Sequence, residues 1–183
     1  MGFCKNIAVF CGSAEGVNPA YAMAARRLGE LIGRQGRSLV FGGCLDGLMA
    51  LVAAAARENG APVYSEFIRS LYQDKDHLPE AHETFHENVF DRKRGLIERS
   101  DACIMLPGGF GTLDEFTEVC AAIQIGEASC RVGILNTAGY YDPLLAYFSR
   151  MRKEGFLAPE WDSLYAVASE PESLLEQLDE TRQ

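Results

Sequence analysis

Ala102-Cys103-Ile104-Met105-Leu106-Pro107-Gly108-Gly109-Phe110-Gly111-Thr112-Leu113-Asp114-Glu115 joins a short apolar run to a stretch of helical period. Residues 102–106 read as a buried strand, and Phe116, Val119 and Ile123 recur at the spacing of one buried helical stripe. Gly108, Gly109 and Gly111 therefore fall where a strand turns into a helix, with Thr112 and Glu115 just beyond them. A helix start presents unpaired N–H groups and the positive end of its dipole, which suits an anion such as a phosphate. Thr112-Leu113-Asp114-Glu115 also has the form of a capping box, with Thr112 as N-cap and Glu115 as the third helical residue.

Working outward, strands and helices alternate. Asn6–Phe10 reads as a first strand ending in Cys11-Gly12-Ser13, and Asn18-Pro19 opens a helix that runs to about Gln35-Gly36. Ser38–Phe41 is a second strand closed by Gly42-Gly43. Asp46 reads as the cap of the helix that follows, which ends near Asn59-Gly60. Residues 62–68 give a third strand interrupted by Glu66, and residues 69–86 read as a mobile loop or short helices over the site. A helix over 88–99, the strand 102–106 and a helix from Thr112 to about Ile125 come next. The chain closes with a strand 131–135, a helix 142–154, a short strand 164–167 and a helix 171–178. Strands separated by helices imply right-handed crossovers and a parallel sheet covered on both faces. The expected fold is a Rossmann-like, doubly wound α/β domain occupying residues 1–183. Ligands on such sheets bind beyond the strand carboxyl ends, where Gly12-Ser13, Gly42-Gly43 and Gly108–Gly111 converge.

Composition narrows the function classes. The 183 residues are 48% hydrophobic and carry a net charge of −9, enough for a sizeable core and against a general nucleic-acid binder. No apolar run has membrane-spanning length, the N-terminus lacks a signal-peptide pattern, and Asn6 replaces the Ser/Thr of a myristoylation motif. Cys4, Cys11, Cys44, Cys103, Cys120 and Cys130 form no metal-binding spacing, and they read as reduced, mostly buried thiols of a cytoplasmic protein. Cys44 is set apart because it follows Gly42-Gly43.

The commoner cofactor motifs are missing. The first loop is Gly12-Ser13-Ala14-Glu15-Gly16 rather than G-x-G-x-x-G, and the second strand ends in glycines rather than an acid, which disfavours a dinucleotide. Gly42–Gly47 has the outer spacing of a P-loop, but Leu48-Met49 replace its Lys-Ser/Thr. Lys5, Lys75, Lys93 and Lys153 are the only lysines, and none stands in a recognisable Schiff-base setting for pyridoxal phosphate.

Pro107–Glu115 resembles the PGGxGTxxE signature of the LOG (Lonely Guy) family, which comprises cytokinin riboside 5′-monophosphate phosphoribohydrolases and related AMP-cleaving enzymes often labelled lysine decarboxylases. The resemblance runs through nearly the whole chain. It includes Phe10-Cys11-Gly12-Ser13, Phe41-Gly42-Gly43 with Gly47-Leu48-Met49, Arg92-Lys93, Ser100-Asp101-Ala102, Gln124 with Gly126, and Gly139-Tyr140-Tyr141. It implies a Rossmann-like homodimer that hydrolyses the N-glycosidic bond of a nucleoside 5′-monophosphate to free base and ribose 5-phosphate, without metal or other cofactor. Membrane and nucleic-acid partners are not expected. Arg92 and Glu115 match the family's catalytic pair. Ser13, Gly42, Gly43, Lys93, Gly108, Gly109, Gly111 and Thr112 fall at the substrate and phosphate positions. A non-catalytic nucleotide or molybdenum-cofactor binding protein of the same fold is the alternative.

The chemistry is consistent with those roles. Breaking a C1′–N bond develops oxocarbenium-like charge, which a nearby carboxylate stabilises while it orients or deprotonates water. An arginine stays protonated, so Arg92 holds the phosphate or ribose, or stabilises the departing base. Four stretches depart from the family pattern: Val89-Phe90-Asp91 before Arg92, Cys44 for a third glycine, Ser65-Glu66-Phe67-Ile68 after the third strand, and Ala121-Ala122 for Thr-Trp. They fall where a base pocket, its lid or a dimer contact is expected.

Overall fold

A computed structural model describes residues 2–72 and 77–180. Seven strands form one all-parallel sheet. They are β1 (Asn6–Phe10), β2 (Ser38–Phe41), β3 (Val63–Ile68), β4 (His82–His86), β5 (Ala102–Met105), β6 (Arg131–Leu135) and β7 (Tyr165–Ala168), in the order β4-β3-β2-β1-β5-β6-β7. The helices are α1 (Pro19–Arg34), α2 (Gly47–Glu58), α3 (Val89–Glu98), α4 (Phe110–Gln124), α5 (Asp142–Lys153) and α6 (Pro171–Glu180). Among the described residues no helix is long and apolar enough to cross a membrane.

The pleat divides the core in two. Ile7, Val9 and Cys11 of β1 and its end pack with Leu28 and Ile32 of α1, Leu48 and Val52 of α2, and Leu174, Leu175 and Leu178 of α6. Ala8 and Phe10 point the other way, toward Leu96 of α3, Phe116 and Val119 of α4, and Phe148 of α5. Each fully buried Leu, Ile or Phe contributes roughly 1.5–3 kcal/mol over its exposed state, so both helical layers are held by the apolar strand positions. The Asn18 side chain caps α1 by accepting from the Ala20 N–H at 3.0 Å, as its Asn-Pro start implies.

Three sequence expectations change. Among the described residues, 69–86 hold a 3-10 turn at Arg69–Leu71 and the edge strand β4, whose ladder with β3 runs from Tyr64↔His82 to Ile68↔His86; residues 73–76, with Lys75, lie outside the described residues. Glu66 does not interrupt β3. Its buried carboxylate pairs with His86 Nε2 at 2.6 Å and Arg99 Nε at 2.8 Å, so the charge is neutralised inside the sheet layer. Asp46 occupies the N-cap position of α2 but makes no capping hydrogen bond through its side chain; its Oδ2 lies 3.8 Å from Cys44 Sγ.

The order of strands reverses between β1 and β5, where one crossover leads outward through α1 and the other returns through α3. Phe10 lies level with Met105, and Val9 with Phe41, so the loops leaving β1, β2 and β5 emerge side by side.

Candidate active site

The three loops are tied through main-chain groups. Gly12 N–H donates to Pro107 C=O at 3.0 Å, and Leu48 N–H donates to Gly12 C=O at 3.0 Å. Gly108 packs so closely that a Cβ there would overlap Thr112 Oγ1 and come within 2.9 Å of Gly12 N. Gly109, Phe110 and Gly111 are exposed, and nothing lies within 4 Å of where a side chain would grow from Gly109 or Gly111. Ser13 is exposed on the neighbouring loop.

α4 starts three residues earlier than the capping-box reading requires. Gly109 is the N-cap, at φ −99° and ψ −152°, and contributes no capping side chain; Thr112 is the third helical residue and is buried beneath Gly108. The first rung of the ladder is Leu113 N–H to Gly109 C=O at 3.1 Å. The N–H groups of Phe110, Gly111 and Thr112 precede it and form the open first turn that an anion can occupy. A glycine start thus replaces the threonine cap, and the Thr112 side chain packs against Gly108 instead. Glu115 thus sits in the second turn.

Arg92 on α3 reaches Glu115 on α4. Its Nη1 donates to Glu115 Oε1 at 3.0 Å, while its Nε donates to the carbonyl of Glu66 at 2.9 Å. The two side chains are only 15% and 13% exposed. A Cβ at Gly42 would overlap the Arg92 guanidinium, so the second glycine loop is the floor over which this arginine crosses. Gly43, at φ +85°, lies against the ring of Phe67. Burial pushes the Glu115 carboxyl above its ordinary 4.5, and the attraction and hydrogen bond of Arg92 only partly offset that. Desolvation thus leaves this carboxylate a stronger base than one in water in spite of the Arg92 cation.

Lys93 turns elsewhere. Its buried ammonium binds Asp114 at 3.1 Å and also Glu118, both on α4. Burial opposes its charge, but the Glu118 and Asp114 carboxylates outweigh burial and raise its pKa. The structure thus brings Arg92, Glu115, Gly42 and the glycine-loop residues together, while Lys93 braces α3 against α4. His86 belongs to β4 and the Glu66 cluster rather than to a loop. Cys4, Cys11, Cys103 and Cys130 are buried, Cys44 and Cys120 are partly so, and none of the six is in a disulfide.

Sequence reasoning passed over two contacts. Tyr140 donates to Gly108 C=O at 2.7 Å and Tyr141 to Leu106 C=O at 2.6 Å. The Gly139-Tyr140-Tyr141 run was the available signal, but it carried no indication of what those hydroxyls hold.

The sequence profile described as "Possible lysine decarboxylase" matches residues 49–178. The chain is 36% identical over 181 residues to the cytokinin riboside 5′-monophosphate phosphoribohydrolase LOG7 of Arabidopsis thaliana, covering 96% of this chain and 82% of the relative. It is 35% identical to the cytokinin riboside 5′-monophosphate phosphoribohydrolase LOG of Oryza sativa subsp. japonica over 96% of this chain and 73% of that one. In three dimensions it is similar to the molybdenum cofactor binding protein of Rippkaea orientalis, with a TM-score of 0.69 at 22% identity over 94% of this chain and 93% of the other, a likeness of fold.

Proposed function

The chain belongs to the LOG family of phosphoribohydrolases, and from that membership and the Arg92–Glu115 pair we propose that it hydrolyses the N-glycosidic bond of a nucleoside 5′-monophosphate. It is an enzyme of the N-glycosidase class. Cytokinin riboside monophosphate and AMP are the substrates to try first. The observation that carries the reading is a carboxylate and a guanidinium 3.0 Å apart, both nearly enclosed, where three glycine-bearing loops meet at the carboxyl edge of the sheet.

In this reading the phosphate lies at the open first turn of α4, among the N–H groups near Gly109 and Gly111, with Gly108, Thr112 and Ser13 shaping the cradle. The ribose then extends toward Glu115, one turn further along the helix. As the C1′–N bond lengthens, positive charge grows on the ribose and negative charge on the base. Glu115 stabilises the first and takes a proton from the attacking water; its raised proton affinity suits that task. Arg92 remains charged, positions the carboxylate and attracts the departing electron density. The water oxygen ends on C1′, and a proton ends on the base nitrogen. Gly42 serves this site by giving Arg92 its path, and Gly43 completes the same loop against Phe67. Lys93, which its motif puts at a phosphate position, acts in this reading through α4.

A second copy of this chain is the partner we assign to the groove between α3 and α4. The groove has a volume of about 630 Å³; Phe90, Ile97, Ala121, Ala122 and Ile125 supply its apolar surface, with Phe90 and Ile125 largely exposed, and Arg94, Glu98, Glu118 and Glu127 line it as well. Residues 1–183 then act as one domain per subunit. A water-soluble nucleotide substrate and cysteines outside any disulfide suit a cytoplasmic enzyme.

Lysine decarboxylation finds no support in Lys93 or Lys5. Lys93 is taken up by Asp114 and Glu118, and Lys5 is exposed and donates to Gly36 C=O. The test is incubation with a panel of nucleoside monophosphates, resolving free base and ribose 5-phosphate by chromatography. Equal release of both products from at least one nucleotide is expected. Tight binding of a phosphorylated ligand with no release of base would instead make the protein a carrier.

A further inference from the structure

Tyr140 stands at the rim of the glycine loop, and nothing in the mechanism above uses it. The connection from β6 to α5 is built to hold it. Asn136 Oδ1 accepts from Tyr141 N–H at 2.7 Å, Asn136 Nδ2 donates to Asp142 Oδ1 at 2.8 Å, and Ala138 takes a left-handed φ of +52° to complete the turn. This places Tyr140 and Tyr141 edge to face, with ring centroids 4.8 Å apart, and Tyr21 packs edge-on against Tyr140 at 5.4 Å.

The two hydroxyls hold carbonyls two residues apart, and the difference between those carbonyls matters. There are no cis peptides among the described residues, so each peptide's N–H points opposite to its C=O. Tyr141 fixes the Leu106–Pro107 peptide, whose nitrogen has no hydrogen to aim. Pro107 C=O is held by Gly12 N–H. Tyr140 fixes the Gly108–Gly109 peptide, so the Gly109 N–H is directed away from the tyrosine. A Gly-Gly peptide has little intrinsic preference to keep that direction. Gly109 is also the N-cap of α4, directly ahead of the first-turn donors. The Tyr140 ring stands between two cavities of about 330 Å³, one bounded by Gly12 and Ser13 and the other by Phe110 and Leu113; Gly108 and Gly109 border both.

We propose that Tyr140 is a positioning residue for the substrate phosphate: its hydroxyl sets the Gly108–Gly109 peptide so that the Gly109 N–H joins the phosphate donors of α4. The inference rests on the nucleotide reading of the site and deepens it. It assigns Tyr140 to binding of the phosphate rather than to the bond-breaking step, so its loss acts on KM more than on kcat.

The experiment compares full-length wild type with Tyr140→Phe and Tyr141→Phe. Calorimetric binding of ribose 5-phosphate, steady-state kinetics with AMP and the melting temperature are measured for each. One lost charge-assisted hydrogen bond corresponds to about a tenfold change in affinity. Tyr140→Phe should therefore raise the ribose 5-phosphate Kd and the KM by about tenfold, with kcat within about twofold and an unaltered melting temperature. Tyr141→Phe should lower the melting temperature and leave the Kd unchanged. An unchanged Kd in Tyr140→Phe overturns the proposal, as does an equal loss of affinity in Tyr141→Phe, since general loosening of the loop would then explain both. Wild type that fails to bind ribose 5-phosphate also overturns it. Wild type that binds ribose 5-phosphate but releases no base overturns the hydrolase reading instead, and the contrast in Kd between the two variants still decides the role of Tyr140.

Discussion

Replacing Glu115 by Gln separates the catalytic demand on this residue from its effect on folding. The amide keeps the size of the side chain and an oxygen to accept from Arg92 Nη1, now 3.0 Å from Oε1, but it removes the charge. Two unit charges about 4 Å apart at an effective dielectric of about 20 attract by roughly 4 kcal/mol before solvation is counted. Burial still prevails, since the carboxyl is held above 4.5 in spite of Arg92. The sign follows from proton linkage. A carboxyl whose folded pKa is raised binds more protons folded than unfolded, so stability falls as pH rises from about 4.5 through the folded value. Above that window the ionised Glu115 is a net cost to the fold, and Glu115→Gln should melt no lower than wild type at pH 7. Activity should move the other way. In the proposed mechanism, loss of the general base should lower kcat by about 10²–10⁴-fold, or roughly 3–5.5 kcal/mol of barrier. The assay is chromatographic release of base from AMP, paired with thermal melts at pH 7 and pH 4. Full retention of kcat would refute the catalytic role. A melting temperature well below wild type at pH 7 would refute the claim that the ionised carboxylate strains the fold.

Other perturbations test neighbouring parts of the argument. Gly42→Ala places a methyl group against the Arg92 guanidinium, so kcat/KM should drop by at least about tenfold while urea unfolding changes by about 1–3 kcal/mol. Glu66→Ala leaves His86 and Arg99 without their buried carboxylate and should cost about 3 kcal/mol in urea unfolding, toward the low end for a broken buried pair because Arg99 is 37% exposed. Ile125→Glu puts a charge into the α3–α4 groove; sedimentation should report monomer in place of dimer, and an unaltered sedimentation coefficient would remove that face from the interface.

Much of the fold was legible because apolar runs and punctuation agree locally. β1, β2 and β6 begin and end where their residues suggest, and Asn18-Pro19 opens α1. β4 was not legible. His82-Glu83-Thr84-Phe85-His86 is polar and short, and it becomes a strand because β3 offers an open edge and Glu66 offers His86 a partner. Glu66 itself looks foreign to a buried strand until Arg99 and His86 arrive from elsewhere in the chain. The start of α4 was misplaced for a related reason. Thr112 and Glu115 satisfy a local capping rule, but Thr112 packs against Gly108 as the third helical residue and the cap falls at Gly109. Lys93 illustrates the same limit at the site: the Arg92-Lys93 motif put it among the phosphate positions, and one helical step of about 100° from Arg92 its side chain meets Asp114 and Glu118.

By itself, the order of apolar runs, helix stops and glycines determined a parallel sheet with three glycine loops at one edge, because those signals are local and repeat with the period of each element. The same residues supplied the chemistry by type, an arginine and a glutamate whose spacing matched a known signature. Only the tertiary structure decided that Arg92 crosses Gly42 to meet Glu115, that Lys93 does not share that pairing, and that Tyr140 holds Gly108. Those choices depend on how α3, α4 and the β6–α5 loop pack over the sheet. Contacts between elements distant in sequence leave no period in the chain from which to read them.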